Sequence, residues 1–142
     1  MSNLINPQLF EEKTFIKKVG GEVKHFLKTT SDGFVGFGEA YFSSIECDFV
    51  SDWKRHRRVS CNLSVVTGKV RFVLTSCGNK FTVYHLSAED NKRLFIPPNI
   101  WFSFQGISSN ISLIINIINE IHDQSEQDKL KSDYFNFDWK VL

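Results

Sequence analysis

Cysteine is scarce in this chain and badly spaced for chemistry. Cys47, Cys61 and Cys77 form no CxxC pair and have no histidine ladder beside them, so the usual zinc modules are excluded. Their odd number argues against a disulfide framework and fits a reducing compartment. Long apolar runs are also lacking: no segment approaches the ~18 apolar residues of a membrane span. The opening "MSNLINPQLFEEKTF" has neither an early basic region nor an apolar run of signal length. Together these absences predict a soluble, cytoplasmic protein with no membrane partner. Excess charge of one sign is missing too. The formal net charge is +1, which removes the global electrostatic argument for a nucleic-acid partner. There is no Walker loop, GxSxG or GxGxxG, and Gly36-Phe37-Gly38 is too short a match to count. No repeat, low-complexity tract or linker interrupts the chain. Its 142 residues are read as one domain, 1–142, long enough to bury a sizeable core.

Aromatic side chains, by contrast, are plentiful: 14% of the chain, with fourteen Phe. Short runs rich in Val, Ile, Phe and Thr recur between turn residues, which is the signature of strands. They are "TFIKKV" (14–19), "EVKHFLK" (22–28), "FVGFGEAYFSSIE" (34–46), "VSCNLSVV" (59–66), "KVRFVLT" (69–75), "KFTVYHLS" (80–87), "RLFI" (93–96), "WFSF" (101–104) and "ISLIINII" (111–118). "DQSEQDKLK" (123–131) reads as one short C-terminal helix, with Asp123 and Glu126 at capping-box spacing. The expected class is all-β, an antiparallel sandwich or barrel.

A period of two sorts the strand residues into faces. In "VSCNLSVV", Val59, Cys61, Leu63 and Val65 share one face, and Ser60, Asn62 and Ser64 the other. If that strand runs straight back, Arg58 and His56 join the polar face. In "ISLIINII", Ile111, Leu113, Ile115 and Ile117 oppose Ser112, Ile114 and Asn116. The commoner arrangement turns such polar faces outward; the other option is the lining of a wet barrel.

"DWKRHRRVSCNL" (52–63) concentrates the possible chemistry. His56 sits among Lys54, Arg55, Arg57 and Arg58. A histidine can take and return a proton near neutrality, and the cations around it would attract an anionic substrate. A solvated charge cluster at a strand start is the blander and commoner reading. A jelly-roll metal site needs a His-x-His pair, but the chain has His56-Arg57-Arg58, so no metal is expected. "LFIPPNIWFSFQG" (94–106) is a turn stiffened by Pro97 and Pro98, followed by Trp101, Phe102 and Phe104. These rings could stack on a base or sugar, or simply pack a β fold. "FNFDW" (135–139) reads as an aromatic tail closing over a sheet.

Together "WKRH", "CNLSVVTGKVRFVL", "LSAEDNKRLFIPPNIWFSFQG", "NEIHDQSE" and the terminal "FDW" resemble the cupin-type dTDP-4-dehydrorhamnose 3,5-epimerase family, from about Gly21 to Trp139. The likeness is to its short W-K-x-H members. It implies a β jelly roll, usually a homodimer, that uses no metal or organic cofactor. It also implies action on a nucleotide-diphosphate 4-keto-6-deoxy sugar in surface-polysaccharide biosynthesis. A 4-keto group acidifies the protons on C3 and C5; a base removes one, donors hold the enolate, and an acid returns a proton from the other face.

Position by position, the resemblance makes His56 the base. Lys54 stands in for a family lysine that falls near Cys61. The family's tyrosine acid falls on or next to Asn116, and a second site tyrosine near His122. A family histidine becomes Phe102, beside Trp101. Tyr41 and Ser43 fall where the nucleotide is lined, and Arg57, Arg58 and Asn62 are expected to hold phosphate or substrate. The aspartate partner of the base falls beyond Asp138-Trp139, so no partner for His56 is expected within the chain. Three outcomes follow. One is epimerisation, with water, Tyr41, Tyr84, Tyr134 or His122 as the acid. The others are 3,4-ketoisomerisation and plain nucleotide-sugar binding.

Overall fold

The computed structural model describes residues 5–12 and 15–140. Its strands are β1 (Gln8–Glu11), β2 (Phe15–Lys18), β3 (Gly21–Lys24), β4 (Glu39–Ile45), β5 (Trp53–His56), β6 (Cys61–Thr67), β7 (Lys69–Thr75), β8 (Thr82–Ser87), β9 (Lys92–Ile96), β10 (Trp101–Gly106), β11 (Ser112–Ile118) and β12 (Gln127–Leu130). Two five-stranded sheets form, in the orders β1-β9-β6-β11-β4 and β12-β5-β10-β7-β8, and β2 and β3 make a separate hairpin. All pairings between strands are antiparallel. Together they make a jelly-roll sandwich. Among the described residues no helix is long and apolar enough to cross a membrane.

The all-β expectation holds, but the expected C-terminal helix does not. Residues Gln124–Glu126 form a single 3₁₀ turn, and the chain then enters β12. Asp123 does cap that turn, its Oδ1 accepting the Ser125 amide at 2.9 Å. The edge of β5 stood unpaired next to this segment, and strand pairing with Trp53–His56 outcompeted local helix propensity. Of the expected strand 14–19, Thr14 lies outside the described residues.

Side chains from both sheets meet between them. Cys61, Leu63 and Val65 of β6 and Leu94 and Ile96 of β9 face Phe72, Leu74, Leu86 and Phe102 of the other sheet. The polar alternates of β6 point away, as expected. Asn62 is buried there against the Gly33 carbonyl (3.1 Å) and the Arg93 guanidinium (2.5 Å). β11 reverses the expectation: Ser112, Ile114, Asn116 and Ile118 face inward, while Leu113, Ile115 and Ile117 lie on the half-exposed outer face. With apolar residues on both sides, this strand carried no amphipathic signal that could orient it.

β6 and β7 are joined at Gly68, whose φ of +84° is the left-handed geometry a side chain resists. The outer face of the β12-β5-β10-β7-β8 sheet is covered by the aromatic tail, as its composition suggested. Phe135 meets Trp53 edge-on at 5.0 Å and Trp101 at 5.8 Å, and Trp53 Nε1 donates to the Ser132 carbonyl.

Candidate active site

β5 is four residues long and looks like a charge run, yet it alternates strictly. Trp53 and Arg55 turn outward: Trp53 goes under the tail, and the Arg55 guanidinium lies 4.6 Å above the Trp101 ring. Lys54 and His56 turn inward, with Lys54 in register with Phe102. The rigid Pro97-Pro98 turn holds the end of the strand, since the Asn99 amide donates to the His56 carbonyl at 2.7 Å. His56 is 5% exposed and stacks on Phe102 with ring centroids 6.1 Å apart.

His56 has a carboxylate partner after all. Its Nδ1 is bonded to Oε1 of Glu126, which is 2% exposed. The other oxygen of Glu126 accepts the backbone amides of Arg57 (3.1 Å), Arg58 (3.1 Å) and Val59 (3.3 Å). The turn after β5 thus wraps an anion with its own N–H groups. Burial alone would push the Glu126 carboxyl up. Bonds from His56 and from the Arg58 and Val59 amides outweigh it and leave the group below the ordinary carboxylate value. An ionised carboxylate can only accept, so Nδ1 carries a proton, and in the neutral ring the lone pair is on Nε2. The expectation of an unpartnered His56 is corrected. Reading Asp123 and Glu126 as a capping box had hidden the second residue, whose side chain goes to His56.

Tyr41 and Asn116, register partners on β4 and β11, face the interior from the opposite sheet. Asn116 Nδ2 donates to Tyr41 Oη at 2.9 Å. Desolvation by burial is the main cause raising the Tyr41 phenol to about 12, so it stays protonated. Cys61 is fully buried beside them, and burial pushes its thiol up to about 12 as well. Lys54 is pushed down, first by burial and then by the charge of Lys129. Ser43 follows Tyr41 on the inward face, paired with Ile114.

The remaining expected residues are placed elsewhere. His56, Arg58 and Asn62 do not share a face, because the chain turns between β5 and β6 instead of running straight back. Arg57 is exposed and pairs with Asp128 at 2.5 Å; Arg58 is exposed and pairs with Glu120 at 3.1 Å. His122 is exposed on the loop after β11, its amide donating to Glu39. Trp101 packs outward, so Phe102 alone of that pair lines the interior. A cleft of about 440 Å³ lies at the other end of the sheets, lined by Lys69, His85, Ser87, Glu89 and Asp90. The converging donors and acceptors are around His56 instead. Among the described residues no three His, Cys, Asp or Glu side chains gather as metal ligands.

The geometry defines a jelly roll with a carboxylate-braced histidine on one sheet and a half-buried phenol on the inner face of the other. No protein-family model and no curated protein matches the chain, but solved structures do. A dTDP-sugar isomerase from Desulfovibrio desulfuricans is 28% identical, with a TM-score of 0.87 over 97% of this chain and 93% of that one. A dTDP-4-dehydrorhamnose 3,5-epimerase from Elizabethkingia anophelis is 15% identical, with a TM-score of 0.76 over 100% and 85%. A mutant 3,4-ketoisomerase from Thermoanaerobacterium thermosaccharolyticum, bound to TDP-4-keto-6-deoxyglucose, is 17% identical, with a TM-score of 0.74 over 89% and 88%. The chain is therefore similar to the cupin dTDP-sugar epimerases and isomerases, as its sequence motifs indicated.

Proposed function

We propose that the chain epimerises or isomerises a nucleotide-diphosphate 4-keto-6-deoxy sugar. One observation carries this reading: the buried His56–Glu126 pair, which fixes the Nδ1–H tautomer and so makes Nε2 the basic nitrogen of the neutral ring. Nε2 removes a proton from the carbon next to the ketone, and the C–H electrons move into the enolate. Lys54, the inward cation of β5, is the donor to the enolate oxygen. Its partial burial strengthens that interaction, because water competes less for the charge. Phe102 forms an apolar wall against the sugar. Arg57 and Arg58 sit at the exposed rim, where a diphosphate can compete for them with the screened partners Asp128 and Glu120.

The test is solvent exchange. With TDP-4-keto-6-deoxyglucose in deuterium oxide, the wild-type protein is expected to incorporate deuterium next to the ketone. His56→Asn, which keeps a partner for Glu126, is expected to lose at least about 10²-fold in that rate. The reading fails if the wild type exchanges no proton of any nucleotide 4-keto-6-deoxy sugar, or if His56→Asn exchanges as fast.

The partner of the protomer, on this reading, is a second copy. The outer face of β4 and β11 carries Phe42, 63% exposed, beside Ile115 and Ile117, and an apolar row of this kind is the usual core of a homodimer contact. Light scattering is expected to give the mass of two chains for the wild type and of one for Phe42→Asp.

A further inference from the structure

We infer that Tyr41 is the proton donor on the face opposite His56, and that Asn116 is the positioning residue that aims it. This rests on the reading of His56 as the base. An enzyme that inverts a carbon needs a proton donor on the other side of the substrate plane. The chain has three tyrosines, Tyr41, Tyr84 and Tyr134. Tyr134 is 64% exposed on the tail, against Phe135, outside the sandwich. Tyr84 lies on β8, in the same sheet as His56. His122 is exposed, on the loop after β11. Tyr41 comes from β4, in the facing sheet, and packs with the core that includes Phe102, the ring on which His56 stacks.

The hydrogen-bond accounting supports a donor role. Tyr41 Oη accepts from Asn116 Nδ2, so the phenolic proton is not used in that bond and is free for a ligand. Asn116 Oδ1 has no partner among the described residues although the side chain is 3% exposed. The buried Cys61 thiol lies within hydrogen-bond reach of the same amide, so Asn116 is held in place between Cys61 and the Tyr41 phenol. The position where the sequence resemblance expected a tyrosine thus holds an amide, and the phenol stands one strand away, directly opposite it in register.

The proton balance is complete. His56 Nε2 takes the proton from carbon and the enolate forms. The Tyr41 O–H then breaks as a new C–H bond forms on the opposite face, leaving a phenolate. The proton on His56 returns to Tyr41 through solvent, and the pair is reset. Because burial favours the neutral phenol, that return is downhill.

Tyr41→Phe separates the two halves of the reaction. With TDP-4-keto-6-deoxyglucose in deuterium oxide, the variant is expected to keep deuterium exchange within about threefold of wild type, because His56 still removes and replaces the proton on its own face. Formation of the inverted sugar is expected to fall at least about 10²-fold. Retained exchange also shows that the variant is folded around its substrate. Asn116→Ala is expected to give the same split to a smaller degree, about tenfold, while KM changes less than kcat. Equal loss of exchange and product in Tyr41→Phe, or no loss of product, overturns the role of Tyr41 and leaves that of His56 intact. Failure of the wild type to exchange at all overturns both.

Discussion

Glu126→Gln is expected to leave the jelly roll folded and to lower turnover by about 10⁴-fold, the scale seen when a catalytic histidine's carboxylate is changed to an amide. The amides of Arg57, Arg58 and Val59 require an acceptor. The carboxamide oxygen turns to them, and its NH₂ is left facing His56 Nδ1. Nδ1 must then accept, so the ring proton moves to Nε2 and the lone pair that attacks the substrate C–H is lost. Turnover and deuterium exchange fall together, while KM for the nucleotide sugar changes little. Acid stability moves as well. A carboxyl held below its ordinary value contributes stability that is fully present above its unfolded value, about pH 4.3, and is lost as pH falls through the lower folded value. The wild type therefore weakens on acidification over that window, and Glu126→Gln weakens less. Turnover within tenfold of wild type, with the fold intact, would remove Glu126 from the mechanism.

Arg93→Ala is expected to be the most destabilising of the surface-directed changes, by about 3–5 kcal/mol. The side chain is 2% exposed on the outer face of β9. Its Nε donates to Glu12 at 2.8 Å, its Nη1 to Asn62 at 2.5 Å, and its guanidinium lies 4.3 Å over the Phe10 ring. It thereby joins β1 and β6 to the strand between them, and through Asn62 it holds the Gly33 carbonyl of the long segment before β4. Truncation leaves the buried Asn62 oxygen without its donor and the half-buried Glu12 carboxylate without its cation. Calorimetry is expected to show Tm lowered by roughly 10–15 °C, with Arg93→Lys in between, since a lysine keeps the charge but not the fork. A shift under about 2 °C in Arg93→Ala would show that Glu12 and Asn62 find other partners.

How much was legible depended on whether a residue's partners were near in sequence. The alternation of β6 assigned Cys61, Leu63 and Val65 to the core correctly, because its outer residues are polar. β11 could not be oriented, because isoleucines lie on both of its faces and the inward amide, Asn116, looked like a surface residue. β5 was hidden because a strand with both faces covered does not read as amphipathic. His56 stood out through the motif around it. Glu126 did not, since its partner is 70 residues away and a plausible local role was at hand. β12, three polar residues and Leu130 at a sheet edge, is too short and too polar to betray itself; it exists because β5 needs a neighbour.

The aromatic tail gives the molecule an optical property. All three tryptophans, Trp53, Trp101 and Trp139, belong to the one cluster beneath and within that tail. Tryptophan fluorescence therefore reports a single event, the docking of the tail on the back of the sheet. Trp53 is the neighbour of Lys54 on β5. A change in tryptophan emission on adding nucleotide sugar would therefore be a signal passed through the strand from its catalytic side to its outer side, with no tryptophan in the site itself.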